Sequence, residues 1–339
     1  MNINEYGWPS YFKKLEENHS GYAIEEQTLA RVGIENRSSF LLYSSFGEIQ
    51  GILRGKFLSS VHESDLPKVG DWVAIQKLPN EDKAIVESVL PRNSKLSRGL
   101  ENNQEQIIAT NIDRIFIVQA LDNDFNLRRL ERYIITAKSS GCDYSIVLNK
   151  VDLDDNPQEK IDEIKKIAPE ILIFAISAKK SLGMAELSKI IEPGSTVVFI
   201  GSSGVGKSTI INNLIGSDQL ATQEVRLDDS KGKHTTTKRE LILLANGSLL
   251  IDTPGIRELE LSATEQTVKD SFEDIKELGL GCEYRDCDHD KSDGCAVKKA
   301  LAAGTLERKR YESFLKLQDE KKNSPTESLS SGKARRKRN

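Results

Sequence analysis

The apolar positions of this chain change period twice, and each change marks a change of architecture. Over residues 1–30 polar residues dominate, with Tyr11, Phe12 and Leu15 as a thin stripe at helical spacing, which predicts a surface helix or docking arm. Over 31–103 apolar and polar residues alternate in short runs, RVGIEN, SFLLYSSFGEIQGILRGKF, VGDWVAIQKL and AIVESVLPR, separated by Gly, Pro and Asn turns. Five short strands in so short a stretch predict a small β-barrel of the OB-fold type. Over 104–265 the runs become continuously apolar, DRIFIVQA, YSIVLNK, ILIFAIS, TVVFIG and SLLIDTPG, and alternate with helical segments such as RRLERYIITAKSSG. Strands buried on both faces read this way, so an α/β parallel sheet covered by helices is expected. Residues 266–322 read as mostly helical, including a helix from Val297 to about Lys322, and 323–339 as a basic, disordered tail.

Composition narrows the picture. A formal net charge of −4 over 339 residues argues against wholesale coating of nucleic acid, so any such contact must be local. The first residues are polar and acidic, and no run approaches the length of a membrane span. A cytoplasmic, monomeric protein with no membrane contact is expected. Four cysteines form no disulfide framework in so long a chain. Cys282, Cys287 and Cys295 instead crowd around His289, and three thiolates with one imidazole suit one structural, tetrahedral Zn²⁺ with no open position for catalysis. Cys142 stands apart as a buried thiol.

The chemistry falls at the carboxyl ends of the apolar strands, where open α/β sheets bind ligands. Gly201, Ser202, Ser203, Gly204, Val205, Gly206, Lys207, Ser208 and Thr209 follow TVVFI and open a helix-like segment. Backbone N–H groups there can cradle phosphates, with Lys207 on the β- and γ-phosphates and Ser208 on Mg²⁺. Asn149, Lys150, Val151 and Asp152 turn this into a guanine site. Asp152 can accept from guanine N1–H and the 2-amino group, whereas adenine would leave a buried carboxylate facing an acceptor. Ser177, Ala178 and Lys179 supply backbone N–H for guanine O6. Asp252 and Gly255 of DTPG are placed for Mg²⁺ and the γ-phosphate. Among Thr235, Thr236 and Thr237, Thr236 is favoured to complete the Mg²⁺ shell. In a Ras-like chain the phosphate loop comes first and the guanine loop near the end; here the order is rotated. The parts describe a circularly permuted GTPase. Ile256 replaces the water-orienting glutamine that follows DxxG in Ras-type enzymes, so intrinsic turnover should be slow, and His234 is the candidate catalytic residue.

With these motifs in this order, between a small barrel and a Cys₃His segment, residues 30–320 resemble the ribosome small subunit-dependent GTPases, the RsgA (YjeQ) family. The resemblance implies GTP and GDP as ligands, the small (30S) ribosomal subunit and its 16S rRNA as partners, subunit-stimulated hydrolysis, and release coupled to turnover late in maturation. The GKHTTT segment carries Lys233 where the family's switch has arginine, a charge-preserving change. Arg54 and Lys56, with Arg92, Lys95 and Arg98 after the last barrel strand, form a candidate RNA-facing edge. The alternative is a nucleotide-sensing RNA-binding module in which hydrolysis is incidental.

Overall fold

The alternating segment closes on itself because each of its strands has one face to bury. In the computed structural model, which describes residues 2–18, 28–36, 39–54, 63–99, 105–122, 125–216, 239–252, 272–285, 287–308, 310–312 and 314–315, these strands are β1 (Leu29–Glu35), β2 (Phe40–Ser44), β3 (Gly47–Leu53), β4 (Trp72–Lys77) and β5 (Lys83–Val89). They run β1-β2-β3-β5-β4, and a second β1–β4 pairing closes the ring. All neighbours are antiparallel except β3 and β5. This closed five-strand order is that of an OB-fold. Inward-facing Val32, Leu42, Ile49, Val73, Ile75 and Val86 fill it. β6 (Lys95–Gly99) and β7 (Glu105–Thr110) then form a separate ribbon.

The continuous apolar runs become β8 (Arg114–Ala120), β9 (Asp143–Asn149), β10 (Ile173–Ala175), β11 (Thr196–Ile200) and β13 (Leu249–Asp252), all parallel, with β12 (Glu240–Leu243) antiparallel beside β13. Their spatial order is β10-β9-β8-β11-β13-β12. Both faces are buried. Ile115, Ile117, Ile146, Leu148, Val198 and Ile200 pack against Leu130, Tyr133 and Ile134 of α2 (Leu127–Ser139) and Ile164 of α3 (Pro157–Ile167). The alternate residues Phe116, Val118, Val147, Val197 and Phe199 pack against Met184 and Leu187 of α4 (Met184–Lys189) and Ile210 and Ile211 of α5 (Lys207–Ile215). Period-2 alternation thus serves two cores, which is why the runs read as uniformly apolar.

Barrel and parallel sheet belong to one compact unit, residues 1–98 with 106–259, and their strands are continuous through Ile34 of β1 opposite Glu240 of β12. The N-terminal segment is more than a polar arm. A 3₁₀ turn (Ile3–Tyr6) and α1 (Trp8–Asn18) bury Ile3, Tyr6, Trp8, Tyr11 and Leu15, with Trp8 edge-on to Trp72 at 4.9 Å between ring centroids. The helix reads as polar because only this stripe meets the core. At the centre of the junction Arg31, 2% exposed, donates to Tyr6 O, Gly70 O (3.3 Å), Asn111 O (3.3 Å) and Thr196 Oγ1 (2.8 Å). Burial pulls its pKa down to about 10, opposed by Asp113 and Asp71, so the guanidinium stays charged at neutral pH. Asp113 in turn binds Lys14 (2.6 Å) and the Thr196 N–H (2.7 Å).

The second unit comprises 99–105 and 260–339. Its described elements include α6 (Glu273–Gly279) and α7 (Ala296–Ala302). The helix expected to run from Val297 to Lys322 stops at Ala302, and the chain turns through Gly304 at φ 74°. The reason lies in the residue type, since glycine enters the left-handed region without a Cβ clash. Phe272 and Phe314 meet edge-to-face at 5.5 Å, and Arg310 lies over Phe272 while gripping Asp274 through two bonds of 2.7 and 2.8 Å. No helix among the described residues is long and apolar enough to cross a membrane.

Replacing Arg31 by leucine strands three carbonyls and a hydroxyl in the junction and should cost about 3 kcal/mol or more. Both tryptophans of the chain, Trp8 and Trp72, sit there. Urea unfolding followed by their fluorescence should show a clearly lowered midpoint for Arg31→Leu; an unchanged midpoint would remove the junction role.

Candidate nucleotide site and metal centre

The carboxyl ends of β8, β9, β10 and β11 bring the separated motifs together. β11 delivers Gly201 at φ 146°, where a Cβ would lie 2.3 Å from Val118 O, and the loop ends at Gly206, φ 96°, which caps α5. The Lys207 ammonium curls over this loop, donating to Gly201 O at 2.8 Å and Ser202 O at 2.6 Å. Ser203 and Gly204 are exposed at its rim, Val205 is buried beneath, and Ser208 and Thr209 begin the helix half-buried. Ser202 Oγ is buried with no hydrogen-bond partner among the described residues, an orphaned hydroxyl inside a loop of backbone donors. Such a loop at a helix start is suited to an anion.

Asn149 holds the constellation together. At 3% exposure it donates from Nδ2 to Val205 O (2.9 Å) and accepts at Oδ1 from the Ala178 N–H (3.0 Å). One side chain thereby joins the NKVD loop to both the glycine loop and the Ser177–Lys179 loop. Asn213 of α5 adds a second tie through its bond to Ala178 O at 2.7 Å. Nothing in the motif pattern pointed to Asn213, since its role depends on the facing of α5 and not on spacing. The Val151 N–H bonds Ile176 O at 3.1 Å, bringing Asp152 beside Ser177 and Lys180. The Ser177 hydroxyl, and less strongly Lys180 at 3.4 Å, hold the Asp152 carboxyl below its usual pKa against the opposing effect of burial. An ionised acceptor therefore faces the loop. Lys179 is exposed, and Asp252 ends β13 half-buried. His234, Thr235, Thr236, Thr237, Gly255 and Lys56 lie outside the described residues.

The basic residues named for RNA differ in what they have left to offer. Arg92 spends its guanidinium internally, with two bonds to fully buried Asp71 (2.8 and 2.7 Å) and others to Ser64 O and Leu66 O. This makes Arg92 a structural residue of the barrel, a role its position after a strand did not reveal. Arg54 bonds Gln76 Oε1 at 2.8 Å and Arg98 bonds Gln106 Oε1 at 2.7 Å, while Lys95 is exposed.

In the second unit, the ligand atoms of Cys282, Cys287, His289 and Cys295 all lie within 4.8 Å of one another. Cys282 Sγ and Cys295 Sγ are 3.9 Å apart, and His289 Nδ1 stands 3.5 and 3.6 Å from them. Metal–sulfur bonds of about 2.3 Å and a metal–nitrogen bond of about 2.0–2.1 Å imply tetrahedron edges of about 3.8 Å for S···S and about 3.5–3.6 Å for N···S. The residues fit a metal ion. His289 turns Nδ1 toward the sulfurs from a left-handed backbone, φ 60°, in a loop stapled by Asp288 Oδ1, which accepts from the N–H groups of Asp290, Lys291 and Ser292 and from the Ser292 hydroxyl. Tyr311 anchors it from outside by donating to His289 O at 2.6 Å. N–H groups of Ala296 and Lys298 point at Cys282 and Cys295 at 3.3 and 3.5 Å. Against burial, such contacts hold the Cys282 thiol below its usual pKa, whereas burial and the neighbouring thiols push Cys295 up to about 11.

A parallel sheet carrying a glycine loop, NKVD and SAK on one edge, with the guanine loop preceding the phosphate loop in sequence, defines a circularly permuted P-loop GTPase. Residues 89–262 match the family model of the RsgA GTPase. A protein of Listeria innocua named small ribosomal subunit biogenesis GTPase RsgA 1 is 40% identical over 96% of this chain and 92% of its own length; its namesake from Opitutus terrae is 39% identical over 94% and 90%. The crystal structure of YjeQ from Thermotoga maritima superimposes with a TM-score of 0.62 at 25% identity, covering 86% of this chain and 98% of that one. At 23% identity the circularly permuted GTPase YloQ shares the fold, with a TM-score of 0.60 over 90% of this chain and 99% of its own. The chain belongs to the RsgA GTPase family and is a GTP hydrolase.

A Cβ at Gly206 would lie 2.2 Å from Asn149 Nδ2, at a φ unfavourable to any L side chain. Gly206→Ala should therefore break the clasp and weaken binding of a fluorescent GDP analogue by about tenfold or more, the scale of one lost buried hydrogen bond plus backbone strain. Binding within twofold of the parent in titration would show that the clasp is dispensable.

Proposed function

We propose that this protein is a GTP-driven maturation factor of the small ribosomal subunit, bound to the subunit and its 16S rRNA in one nucleotide state and released in the other. The observation that carries the nucleotide half is the Asn149 clasp, which assembles loops far apart in sequence around one edge of the sheet. The ribosomal half is supported by relatives named for small-subunit biogenesis that align with nearly the whole chain. Residues 149–152 and 177–179 hold the guanine, and 201–209 hold the phosphates. Ser208, Asp252 and Thr236 hold Mg²⁺, Gly255 meets the γ-phosphate, and His234 serves hydrolysis. Asp152 selects guanine because its ionised oxygens need two donors. The division into arm (1–30), barrel (31–103), GTPase (104–265), metal-binding helical domain (266–322) and basic tail (323–339) is part of the same reading. So are a cytoplasmic location and action as a monomer.

Zn²⁺ is the metal favoured for Cys282, Cys287, His289 and Cys295, since a closed Cys₃His tetrahedron at these spacings suits it. When bound it supplies no chemistry to GTP; it organises the loop. Metal analysis of the purified protein should find about one zinc per chain, and Cys295→Ser should lose it together with the thermal stability of this unit. Zinc retained at full stoichiometry in that variant would exclude the site.

The direct test of function is phosphate release from GTP with purified protein, with and without added ribosomal subunits. Small subunits should raise the rate at least tenfold over the intrinsic one, large subunits should not, and His234→Ala should blunt the stimulation while leaving GTP binding intact. Equal rates with and without small subunits would favour an RNA-binding module in which hydrolysis is incidental.

A further inference from the structure

Lys150 is the residue of the guanine loop whose backbone departs from ordinary geometry, with φ 63° and ψ 34° in the left-handed region. A long side chain rarely adopts it, and the cost is on the order of 1–2 kcal/mol. The conformation lets the chain leave β9 at Asn149 and turn directly into the short 3₁₀ turn Val151–Leu153, closed by Leu153 N–H to Lys150 O at 2.9 Å. It also points the side chain back toward the neighbouring strand. There the Lys150 ammonium meets Asp122 Oδ2 at 2.7 Å, each side chain about a third exposed or less. Asp122 stands just past the end of β8, where the Leu121 N–H bonds Asn149 O at 2.8 Å, so the aspartate is registered against the guanine loop by the sheet itself.

We propose that Asp122 is a positioning residue of the nucleotide pocket. It fixes the head of Lys150 so that the four-carbon stem is held in one direction across the carboxyl edge of the sheet, where an apolar rod can cover a face of the purine. The inference rests on the reading of residues 149–152 as the guanine loop. Asp122 does not touch the nucleotide. It acts through Lys150, by removing the conformational entropy that a free lysine would lose on binding. Because base and not phosphate is involved, GDP and GTP should benefit alike.

The test is equilibrium binding and dissociation of a fluorescent GDP analogue by the full chain. Asp122→Ala, and the isosteric Asp122→Asn as a variant that keeps the local packing, should weaken affinity about fivefold, the scale of a partly buried ion pair. Most of the change should fall in the dissociation rate, and Asp122→Glu should restore affinity to within about twofold. In a Lys150→Met background, where the stem persists without its charge, Asp122→Asn should have no further effect. Unchanged affinity in Asp122→Asn, or an undiminished loss in the Lys150→Met background, overturns the proposal. Asp152→Asn separates the underlying reading: its amide can donate to xanthine O2, so preference should move from GDP toward XDP. Should that preference stay put, the guanine-loop assignment fails independently of what Asp122 does.

Discussion

One buried cation holds the first unit together. Arg31 issues from a barrel strand, yet its four acceptors belong to the N-terminal turn, the loop before β4, the segment entering β8 and the first residue of β11. A guanidinium has five N–H donors in a rigid fork, and here four bonds from it reach four separate segments. Trp72 shields it, with the guanidinium carbon 5.5 Å from the ring centroid. Asp113 and Asp71 supply nearby negative charge. Such a site is costly to desolvate, and its value lies less in net stability than in registering a barrel, a helix and a parallel sheet against each other. The strand that Arg31 steadies through Thr196 is β11, whose other end becomes the glycine loop.

Asn149 repeats this logic at the opposite edge. An amide has a donor and an acceptor on one planar group, so it can join a carbonyl of one loop to an N–H of another while being itself fixed at a strand end. The rotated order of motifs becomes unimportant at this point. Parallel strands deliver their loops to the same edge whatever the order in which the chain visits them, and the clasp requires only that three loops meet.

The second unit solves a different problem. Its described apolar set is small, centred on Phe272, Ile275, Val297, Leu306 and Phe314, and such a core gives limited stability. Four potential ligands gathered within 4.8 Å of one another, an Asx-stapled loop and the Tyr311 anchor make this candidate metal centre the organising feature of the described residues in place of a large core.

What the chain determined by itself was local or periodic: the change from alternating to continuous apolar runs, the spacing of the glycine loop, NKVD and SAK, and the Cys₃His set. These are short-range patterns, because a phosphate loop or a metal tetrahedron needs its donors at nearly fixed spacing. Only the tertiary structure decided which polar residues work in pairs. Arg92 resembled a free surface cation until its bonds to buried Asp71 tied it to the segment before β4. Arg31 resembled an ordinary strand residue, the N-terminal helix looked like a polar arm, and Asp122 and Asn213 carried no motif at all. Each acquires its role from a partner tens of residues away. That pairing is set by the register of strands and the facing of helices, to which no spacing along the chain gives access.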